Sequence, residues 1–422
     1  MPNPTPSPRP ILVLGAGIIG LTTALRLLRS PLCTTYSYTV HILADHWPTD
    51  GHAAGYASLA AGAHHLSFAD DADSRQRGWD WKSESLSSRT RRAADRAAFE
   101  TLYAEWERVG EETGLMRIKQ TEYMSEGTHL KIYEQHPDFV VNDPTFLPAG
   151  IAHSVSFTSL TITPLTYLAH LLRLIRAHPN VRLHRAHLPS LSSLSCPPIL
   201  SLLGQPPALV VNCTGIGSAS LGGVSDTQVH PVRGHVVLVR APWVKEGFTR
   251  QIGSLNGAEG GERTYVIPRA DGTVVLGGTR QVGDWDTAPT KEDREGVLRR
   301  ALEICPELLR AGTGSDGKMV ADSGEGEERG RDGFRNGNGR RWKRLEGMMV
   351  DEVVGLRPQR YGGIRLEVGE SVKLDDGKEV KVVHNYGHGG AGWQSCWGCA
   401  EDVVRLVQAE LGTDLGSARA KL

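Results

Sequence analysis

The chain has few cysteines, no excess of either charge and no long apolar run, and each absence excludes a class of protein. Six cysteines in 422 residues are too few for a disulfide scaffold and fit a reducing compartment. With 47 Lys and Arg against 48 Asp and Glu, the chain lacks the basic excess of a nucleic-acid binder. No stretch is long and uncharged enough to cross a membrane, and the proline-rich residues 1–10 lack the apolar core of a signal peptide.

What the chain does have is a globular composition rich in glycine. Hydrophobic residues make up 39% and charged residues 23%, which supports a buried core. At about 150 residues per domain, the length predicts two or three structural units. The 49 glycines are about 12% of the chain, against roughly 7% in average usage, so tight turns and close backbone approaches are expected.

The N-terminal region has the pattern of a βαβ unit. Residues 11–14 and 39–43 predict buried strands, and residues 18–28 carry apolar residues at helical spacing. Between the first strand and the helix, Gly15-Ala16-Gly17-Ile18-Ile19-Gly20 fits the dinucleotide fingerprint, in which the backbone approaches a pyrophosphate at the helix N-terminus. Asp45 follows the second strand and can accept hydrogen bonds from a ribose. An ordinary glycine-rich turn is the alternative, and the motif does not separate FAD from NAD.

Further along, the pattern changes from parallel to antiparallel structure. Thr163-Pro164 predicts a helix start, with strands at residues 181–184 and 209–212. Residues 265–276, with a turn at Asp271-Gly272, predict a hairpin in a separate antiparallel sheet. The charged, glycine-rich residues 311–344 predict a mobile surface insertion, and residues 393–411 an amphipathic helix.

Four more motifs, taken with the glycine fingerprint, resemble those of the D-amino-acid oxidase family. They are Asn212-Cys213-Thr214-Gly215, Tyr265-Val266-Ile267-Pro268, Gly355-Leu356-Arg357-Pro358 and His384-Asn385-Tyr386-Gly387-His388-Gly389-Gly390. The resemblance implies an α/β fold that binds FAD, with a Rossmann-like FAD-binding domain and a second, mainly antiparallel-sheet substrate domain. The implied FAD-binding domain is discontinuous (residues 10–66, 155–222 and 350–415). Residues 67–154 and 223–349 would form the substrate domain, and residues 416–422 a targeting tail.

The resemblance also implies which residues bind the cofactor. They comprise the glycine fingerprint, contacts to the adenosine half and residues that pass near the isoalloxazine ring. The implied set is Gly15, Ala16, Gly17, Ile18, Ile19, Gly20, Asp45, His46, Ala61, Gly62, Leu188, Thr214, Gly389, Gly390, Ala391, Gly392, Trp393 and Gln394.

For the substrate, the resemblance implies that Arg357 and Tyr265 hold the α-carboxylate and that the Gly390 carbonyl accepts from the amine. A planar guanidinium suits this task, because it can make two parallel charge-assisted bonds to a carboxylate. The family's neutral-substrate members have a second tyrosine before the equivalent of Tyr265, and residues 256–263 offer none.

Instead, Arg280 stands where the D-aspartate oxidase branch of the family carries its side-chain-recognising arginine. A buried second cation would pair with a β-carboxylate and would be left unpaired against a neutral substrate. A solvated hairpin residue is the alternative, since arginines are mostly exposed. His64 and His65 lie near the position of a pocket histidine in that branch; a packed or surface histidine is the alternative for each.

The expected function is therefore oxidation of acidic D-amino acids, D-aspartate first and D-glutamate second, with hydride transfer to the flavin and reoxidation by dioxygen. No general base is assigned. The alternatives are an oxidase of neutral D-amino acids, a nicotinamide-dependent dehydrogenase and a non-catalytic dinucleotide-binding protein. The preference for the D form comes from the resemblance alone.

A few remaining features are interpreted more simply. Cys396-Trp397-Gly398-Cys399 imitates a redox pair but is interpreted as helix packing, and the histidines show no metal-ligand spacing. Ala420-Lys421-Leu422 is similar to the Ser-Lys-Leu address for peroxisomes. It predicts a peroxisomal matrix protein that binds the import receptor, with a chance tripeptide as the alternative. Neither nucleic acid nor membrane is expected as a partner, and assembly into a homo-oligomer is left open.

Overall fold

Two sheets with helices packed on them make up the structure, a computed structural model that describes residues 8–66, 91–125, 133–148, 150–253, 262–309 and 341–412. The strands are β1 Arg9–Leu14, β2 Tyr38–Ala44, β3 His64–His65, β4 Leu115–Met124, β5 Val140–Val141, β6 His153–Ile162, β7 Val181–Arg185, β8 Leu209–Asn212, β9 Val229–Arg240, β10 Gly247–Ile252, β11 Glu262–Pro268, β12 Thr273–Gly277, β13 Gln281–Val282, β14 Met349–Arg360, β15 Arg365–Val368, β16 Val372–Lys373, β17 Glu379–Val380 and β18 Val382–Tyr386. The α-helices are α1 Ile18–Arg29, α2 Pro31–Thr34, α3 Ala57–Ala60, α4 Arg91–Val109, α5 Pro164–Arg176, α6 Pro197–Leu203, α7 Lys291–Ile304 and a C-terminal helix, Gly392–Glu410.

The first sheet is mainly parallel, in the order β15-β18-β8-β1-β2-β7. β1 pairs in parallel with β2 on one side and with β8 on the other. β1 is buried throughout after its first residue, because helices cover both faces of a parallel sheet. Where chain connections run to opposite sides of one strand, a crevice opens beyond the carboxyl ends of the strands. The sheet therefore places a ligand cleft after β1, as the βαβ pattern predicts.

The core beside this sheet is built by α1, α4, α5 and the C-terminal helix. α5 begins with Pro164 after Thr163, as predicted. Trp397 is buried and donates to the Tyr167 hydroxyl at 3.1 Å. Cys396 and Cys399 are both buried and are not joined by a disulfide, so this motif is part of the helix packing.

The second sheet is mainly antiparallel and runs β13-β9-β12-β11-β10-β4-β6-β3, with β14 also on β9 and β5 on β6. It contains the predicted hairpin, β11 and β12, in which Tyr265 pairs with Gly277. α7 packs on this sheet through buried Val297, Leu298 and Ala301. The structure thus shows the predicted α/β fold with a parallel and an antiparallel sheet.

Three strands depart from the predicted allocation of segments. β3 and most of β6 and β14 fall inside the segments predicted for the FAD-binding domain, yet all three strands pair in the second sheet. The reason is that strand composition does not reveal which sheet a strand joins. The domain boundaries themselves stay a prediction.

The predicted surface insertion ends earlier than residue 344. Residues 310–340 lie outside the described residues, but residues 341–346 are helical. Trp342 is buried with Val297 and Leu298, and the Arg299 guanidinium lies over its ring at 5.0 Å. The predicted tail, residues 416–422, also lies outside the described ranges. Within those ranges, no helix combines the length and apolar character that a membrane crossing requires.

Candidate functional site

A cavity of about 1180 Å³ extends from the carboxyl ends of the parallel strands to the face of the second sheet. It is lined by the residues that follow β1, β2, β8 and β18, including Gly15, Asp45, Thr214 and His388. Its volume exceeds the roughly 300–1,000 Å³ of ordinary ligand pockets. It therefore offers room for a large cofactor and a substrate together.

The glycine turn after β1 brings the backbone to this cavity. Gly15 has φ +100°, and a Cβ there would lie 2.7 Å from the Cys213 carbonyl oxygen, so a side chain is excluded. Gly15, Ala16, Gly17, Ile18 and Ile19 line the cavity. Gly20 does not; a Cβ on it would collide with the Gly15 carbonyl oxygen, which fits the close-packing role of the third fingerprint glycine.

The turn is held by two side chains that the sequence analysis missed. The Ser58 hydroxyl accepts the N–H of Ile18 at 3.0 Å, and the Tyr56 hydroxyl donates to the Ala16 carbonyl at 2.6 Å. Both side chains line the cavity. No motif surrounds them, so only the fold reveals their role.

At the adenosine end, all four predicted contacts line the cavity: Asp45, His46, Leu188 and Thr214. The Asp45 carboxylate lies at the end of β2, 3.0 Å from Nδ1 of His187, and both side chains are exposed. The Thr214 hydroxyl and N–H both donate to the Asn212 amide oxygen, at 2.8 and 3.1 Å. A glycine turn at a helix N-terminus can donate its N–H groups to a pyrophosphate, and an acid after the second strand can accept from a ribose hydroxyl. These are the groups that a bound dinucleotide requires. The residues present therefore fit FAD.

At the other end, Ala61, Gly62 and the whole segment Gly389 to Gln394 line the cavity. The Trp393 indole N–H donates to the Ser58 carbonyl at 3.2 Å, which fastens the start of the C-terminal helix to the glycine-turn region. Arg269 donates to the Ala61 carbonyl at 2.8 Å, and burial lowers the pKa of Arg269 to about 10. The two hydrogen bonds hold Trp393 and Ala61, two of the residues predicted to lie near the isoalloxazine ring, in fixed positions at the cavity.

Arg357 lies on β14, and backbone carbonyls orient it. Its Nη1 donates to the Thr279 carbonyl at 3.2 Å and to the Arg233 carbonyl at 3.4 Å. A Cβ on Gly234 would collide with its guanidinium, so the glycine leaves space for the arginine. A Cβ on Gly390 would lie 3.8 Å from Cδ of Arg357. Arg357 and Gly390 therefore border the same part of the cavity.

Arg280 lies in the short segment between β12 and β13 and is exposed, so the expectation of a buried second cation is wrong, because connecting segments lie at the surface. Arg280 nevertheless lines the cavity. Desolvation by the surrounding protein lowers the pKa of Arg280, and the positive charge of Arg357 lowers it further. Arg280 and Arg357 therefore line the same cavity, and their positive charges interact.

Tyr265 lies beside them on β11. A Cβ on Gly277 or Gly278 would collide with its hydroxyl, and its ring lies 3.6 Å from the Cβ position of Gly62. Tyr265 thus stands between the isoalloxazine-side residues and the chain that carries Arg280.

The two predicted histidines point in different directions. His64 lines the cavity, and its Nε2 lies 3.0 Å from the Ser159 hydroxyl, which itself donates to the His65 carbonyl. Burial, assisted by the charge of Arg263, holds the pKa of His64 well below its ordinary value, so the ring is neutral. The His65 ring instead faces the carbonyls of Asp95 and Gln394, at 3.0 and 3.1 Å, and does not line the cavity. The predicted contact of His65 with the substrate is therefore wrong. Successive side chains of a strand point to opposite faces of the sheet, so His65 points away from the cavity that His64 lines.

Two further arginines line this cavity and were not predicted from the sequence, Arg263 and Arg300. Arg263 stands two residues before Tyr265, and this period of two along a strand is the signal that could have identified it. Arg300 comes from α7, and its Nη2 donates to the Gly278 carbonyl at 3.2 Å.

Comparison with known proteins gives a consistent result. The family model DAO, described as FAD dependent oxidoreductase, matches residues 10–406. The chain is 50% identical to the D-aspartate oxidase of Cryptococcus neoformans var. grubii over 96% of this chain and 98% of that protein. It is 31% identical to the D-amino-acid oxidase of Fusarium vanettenii over 94% and 96% of the two chains. Glycine oxidase from Geobacillus kaustophilus has a similar fold, with a TM-score of 0.60 at 18% identity over 95% of each chain.

Proposed function

The chain belongs to the family of FAD-dependent oxidoreductases whose model matches residues 10–406, and we propose that it catalyses the oxidative deamination of acidic D-amino acids, D-aspartate first and D-glutamate second. One amino acid, one dioxygen and one water give the 2-oxo acid, ammonia and hydrogen peroxide. Family membership sets aside the alternatives of a nicotinamide-dependent dehydrogenase and a non-catalytic dinucleotide-binding protein. The 50% identity to a D-aspartate oxidase supports the acidic substrate and its D configuration.

The observation that carries the substrate assignment is that Arg280 and Arg357 line one cavity and interact electrostatically. An acidic amino acid carries two carboxylates a few bonds apart. Two guanidinium groups in one pocket can each take one of them by charge-assisted hydrogen bonds. A neutral amino acid has a carboxylate for only one of the two guanidinium groups, so it would bind with one charge-assisted contact fewer.

The residues of the chain act mainly by positioning. Arg357, with its guanidinium held by two backbone carbonyls, binds the α-carboxylate, and the Tyr265 hydroxyl supports the same group. The Gly390 carbonyl accepts a hydrogen bond from the amine, and Arg280 binds the distal carboxylate. Four contacts on one small molecule leave a single orientation of its Cα–H bond, and such fixed orientation supplies a large part of catalysis.

The cofactor would be held by the glycine turn, by Asp45 at the adenosine end and by residues 389–394 at the other end. When bound, FAD supplies the two-electron acceptor that no side chain can provide. Burial holds the pKa of His64 well below its ordinary value, which makes the ring a weak base, and its Nε2 is engaged with Ser159, so we assign it no role as a base. An amine that enters unprotonated needs none.

The alternative substrate class is the neutral D-amino acids, which the 31% identity to a D-amino-acid oxidase favours. Hydrogen peroxide release from the purified holoenzyme, measured with D-aspartate, D-glutamate, D-alanine and L-aspartate, separates the two. We expect the highest kcat/KM for D-aspartate and no release of hydrogen peroxide with L-aspartate. A higher kcat/KM for D-alanine would support the neutral class and overturn the acidic one.

We also propose that the protein is imported into the peroxisome matrix through its last three residues, which would bind the import receptor. The support is the tripeptide Ala420-Lys421-Leu422 together with a reaction that releases hydrogen peroxide. This tripeptide lies outside the described residues. Assembly into a homo-oligomer stays a prediction.

A further inference from the structure

Arg263 is a cation at the substrate end of the cavity to which the proposed function gives no role. It lies on β11, two residues before Tyr265, and both side chains line the cavity. Its backbone carbonyl accepts the N–H of Gly278 at 3.3 Å, just before Arg280. The strand that carries Arg263 is thereby fixed to the segment that carries Arg280.

A buried acid and an amide hold the Arg263 guanidinium in place. Its Nη2 lies 3.4 Å from Oε2 of Glu122, which has no exposed side-chain surface, while Arg263 itself is 24% exposed. Its Nη1 donates to Oε1 of Gln251 at 3.2 Å. Gln120 donates to the other oxygen of Glu122 at 2.7 Å. A guanidinium fixed in this way loses little further side-chain freedom when a ligand binds.

The charges around the cavity favour a dianionic substrate here. Among the described residues that line it, two carry carboxylates: Asp45 at the adenosine end and Glu262. Glu262 pairs with Arg300 at 3.5 Å. The arginines that line the cavity are Arg263, Arg280, Arg300 and Arg357. With Glu122 paired to Arg263 and an α-carboxylate on Arg357, four arginines meet three carboxylates at this end, and the second carboxylate of a dianionic substrate would make the numbers equal.

We propose that Arg263 is a second specificity-determining residue, which binds the distal carboxylate of the substrate together with Arg280. This inference rests on the proposed function and extends it. Arg280 is exposed, whereas Arg263 stands in a wall with the buried Thr249 and Gln251. The distal carboxylate would therefore lie between an outer and an inner guanidinium.

The test compares the wild type with Arg263→Leu, Arg263→Gln and a matched control, Arg250→Leu. Arg250 lies on the neighbouring strand and forms ion pairs with Glu262 and Glu303, at 3.2 and 2.7 Å. We expect both Arg263 variants to lower kcat/KM for D-aspartate about tenfold or more, as loss of a charged hydrogen bond requires, with the value for D-alanine changed less than about twofold. Arg250→Leu should leave the ratio of the two values unchanged. Equal losses for both substrates, or no loss for either, would overturn the proposal.

A binding measurement without turnover keeps this test independent of the proposed function. Succinate and propionate differ by one carboxylate, and each can be titrated into the holoenzyme while its flavin absorbance is followed. The Arg263 variants should weaken binding of succinate and leave that of propionate unchanged. If wild-type enzyme prefers D-alanine, the acidic assignment fails. If succinate binds both Arg263 variants as tightly as it binds the wild type, the role of Arg263 fails whatever the substrate preference.

Discussion

Arg357 Nη1 donates a hydrogen bond to the backbone carbonyl of Thr279, at 3.2 Å, and Thr279 is the residue before Arg280. The arginine assigned to the α-carboxylate is thus oriented by the same short segment that presents the arginine assigned to the distal carboxylate. A change in that segment would move both cations. Substrate orientation and substrate class therefore depend on one piece of backbone.

Replacement of Arg280 by leucine should change the substrate preference. The charge-assisted contact it removes is worth about 1.5–3 kcal/mol, so KM for D-aspartate should rise by roughly one to two orders of magnitude. KM for D-alanine should stay the same or fall, because no cation then faces the methyl group. Steady-state peroxide kinetics measure both values. Arg240→Leu, at an exposed arginine of β9, is the control and should leave both values unchanged.

Replacement of Arg357 by lysine should reduce activity towards every substrate. Lysine keeps the positive charge but loses the planar fork that makes two parallel bonds to a carboxylate. We expect kcat/KM to fall about tenfold or more for D-aspartate and D-alanine alike. A loss confined to D-aspartate would show that Arg357 contacts the distal carboxylate instead.

Replacement of Gly15 by alanine should impair cofactor binding. The new Cβ would lie 2.7 Å from the Cys213 carbonyl oxygen at a residue with φ +100°, so the turn must shift. Gly51→Ala is a matched control, since Gly51 also has a positive φ but no atom within 4 Å of its Cβ position. We expect Gly15→Ala to lose bound FAD, measured from its absorbance after gel filtration. Gly51→Ala should keep the cofactor and lose about 1–3 kcal/mol of stability. Equal flavin content in the two variants would contradict this role of the turn.

The folded protein should lose stability as the pH falls from 7.5 to 5, because buried histidines must stay neutral. Burial lowers the pKa of His136 to about 3, and its ring stacks on Phe157 at 4.5 Å. An unfolded chain protonates this residue below its ordinary pKa of about 6.5, while the folded chain does not, so stability present above pH 6.5 is lost on acidification. For His136 the loss is about 2 kcal/mol at pH 5.

His136→Leu should remove that part of the pH dependence. Urea unfolding at pH 7.5 and pH 5 should show a smaller decrease in unfolding free energy for the variant, by about 2 kcal/mol. Parallel decreases in the two proteins would show that His136 is not kept neutral by the fold.

Deletion of the last three residues should abolish peroxisomal import. A fluorescent protein fused to the N-terminus of the full chain should co-localise with a peroxisomal marker, and the same fusion without Ala420-Lys421-Leu422 should not. A diffuse signal from both fusions would identify the tripeptide as a chance match.

Much of this arrangement could be predicted where a motif is local. The glycine turn, the hairpin of β11 and β12 and the segment before the C-terminal helix each have their own sequence signal. The family resemblance connected them, and the structure brings nearly all of their predicted residues to one cavity. Gly20 and His65 are the exceptions: Gly20 packs beneath the turn, and His65 points to the other face of β3.

The rest depends on pairing between strands, which sequence patterns do not fix. Glu122 meets Arg263 because β4, β10 and β11 lie side by side, although the two residues are far apart in sequence. Ser58 likewise reaches the glycine turn from 40 residues away in sequence. For the same reason, β6 and β14 could not be assigned to the second sheet from their composition.

Anaerobic reduction of the bound flavin tests the central claim most directly, because it reports substrate binding and oxidation without the later steps. The holoenzyme is mixed with increasing D-aspartate or D-alanine in the absence of dioxygen, and the loss of yellow colour is followed in time. We expect rapid bleaching that saturates at a D-aspartate concentration at least about tenfold below that for D-alanine. Bleaching by D-alanine at the lower concentration, or no bleaching by D-aspartate, would contradict it.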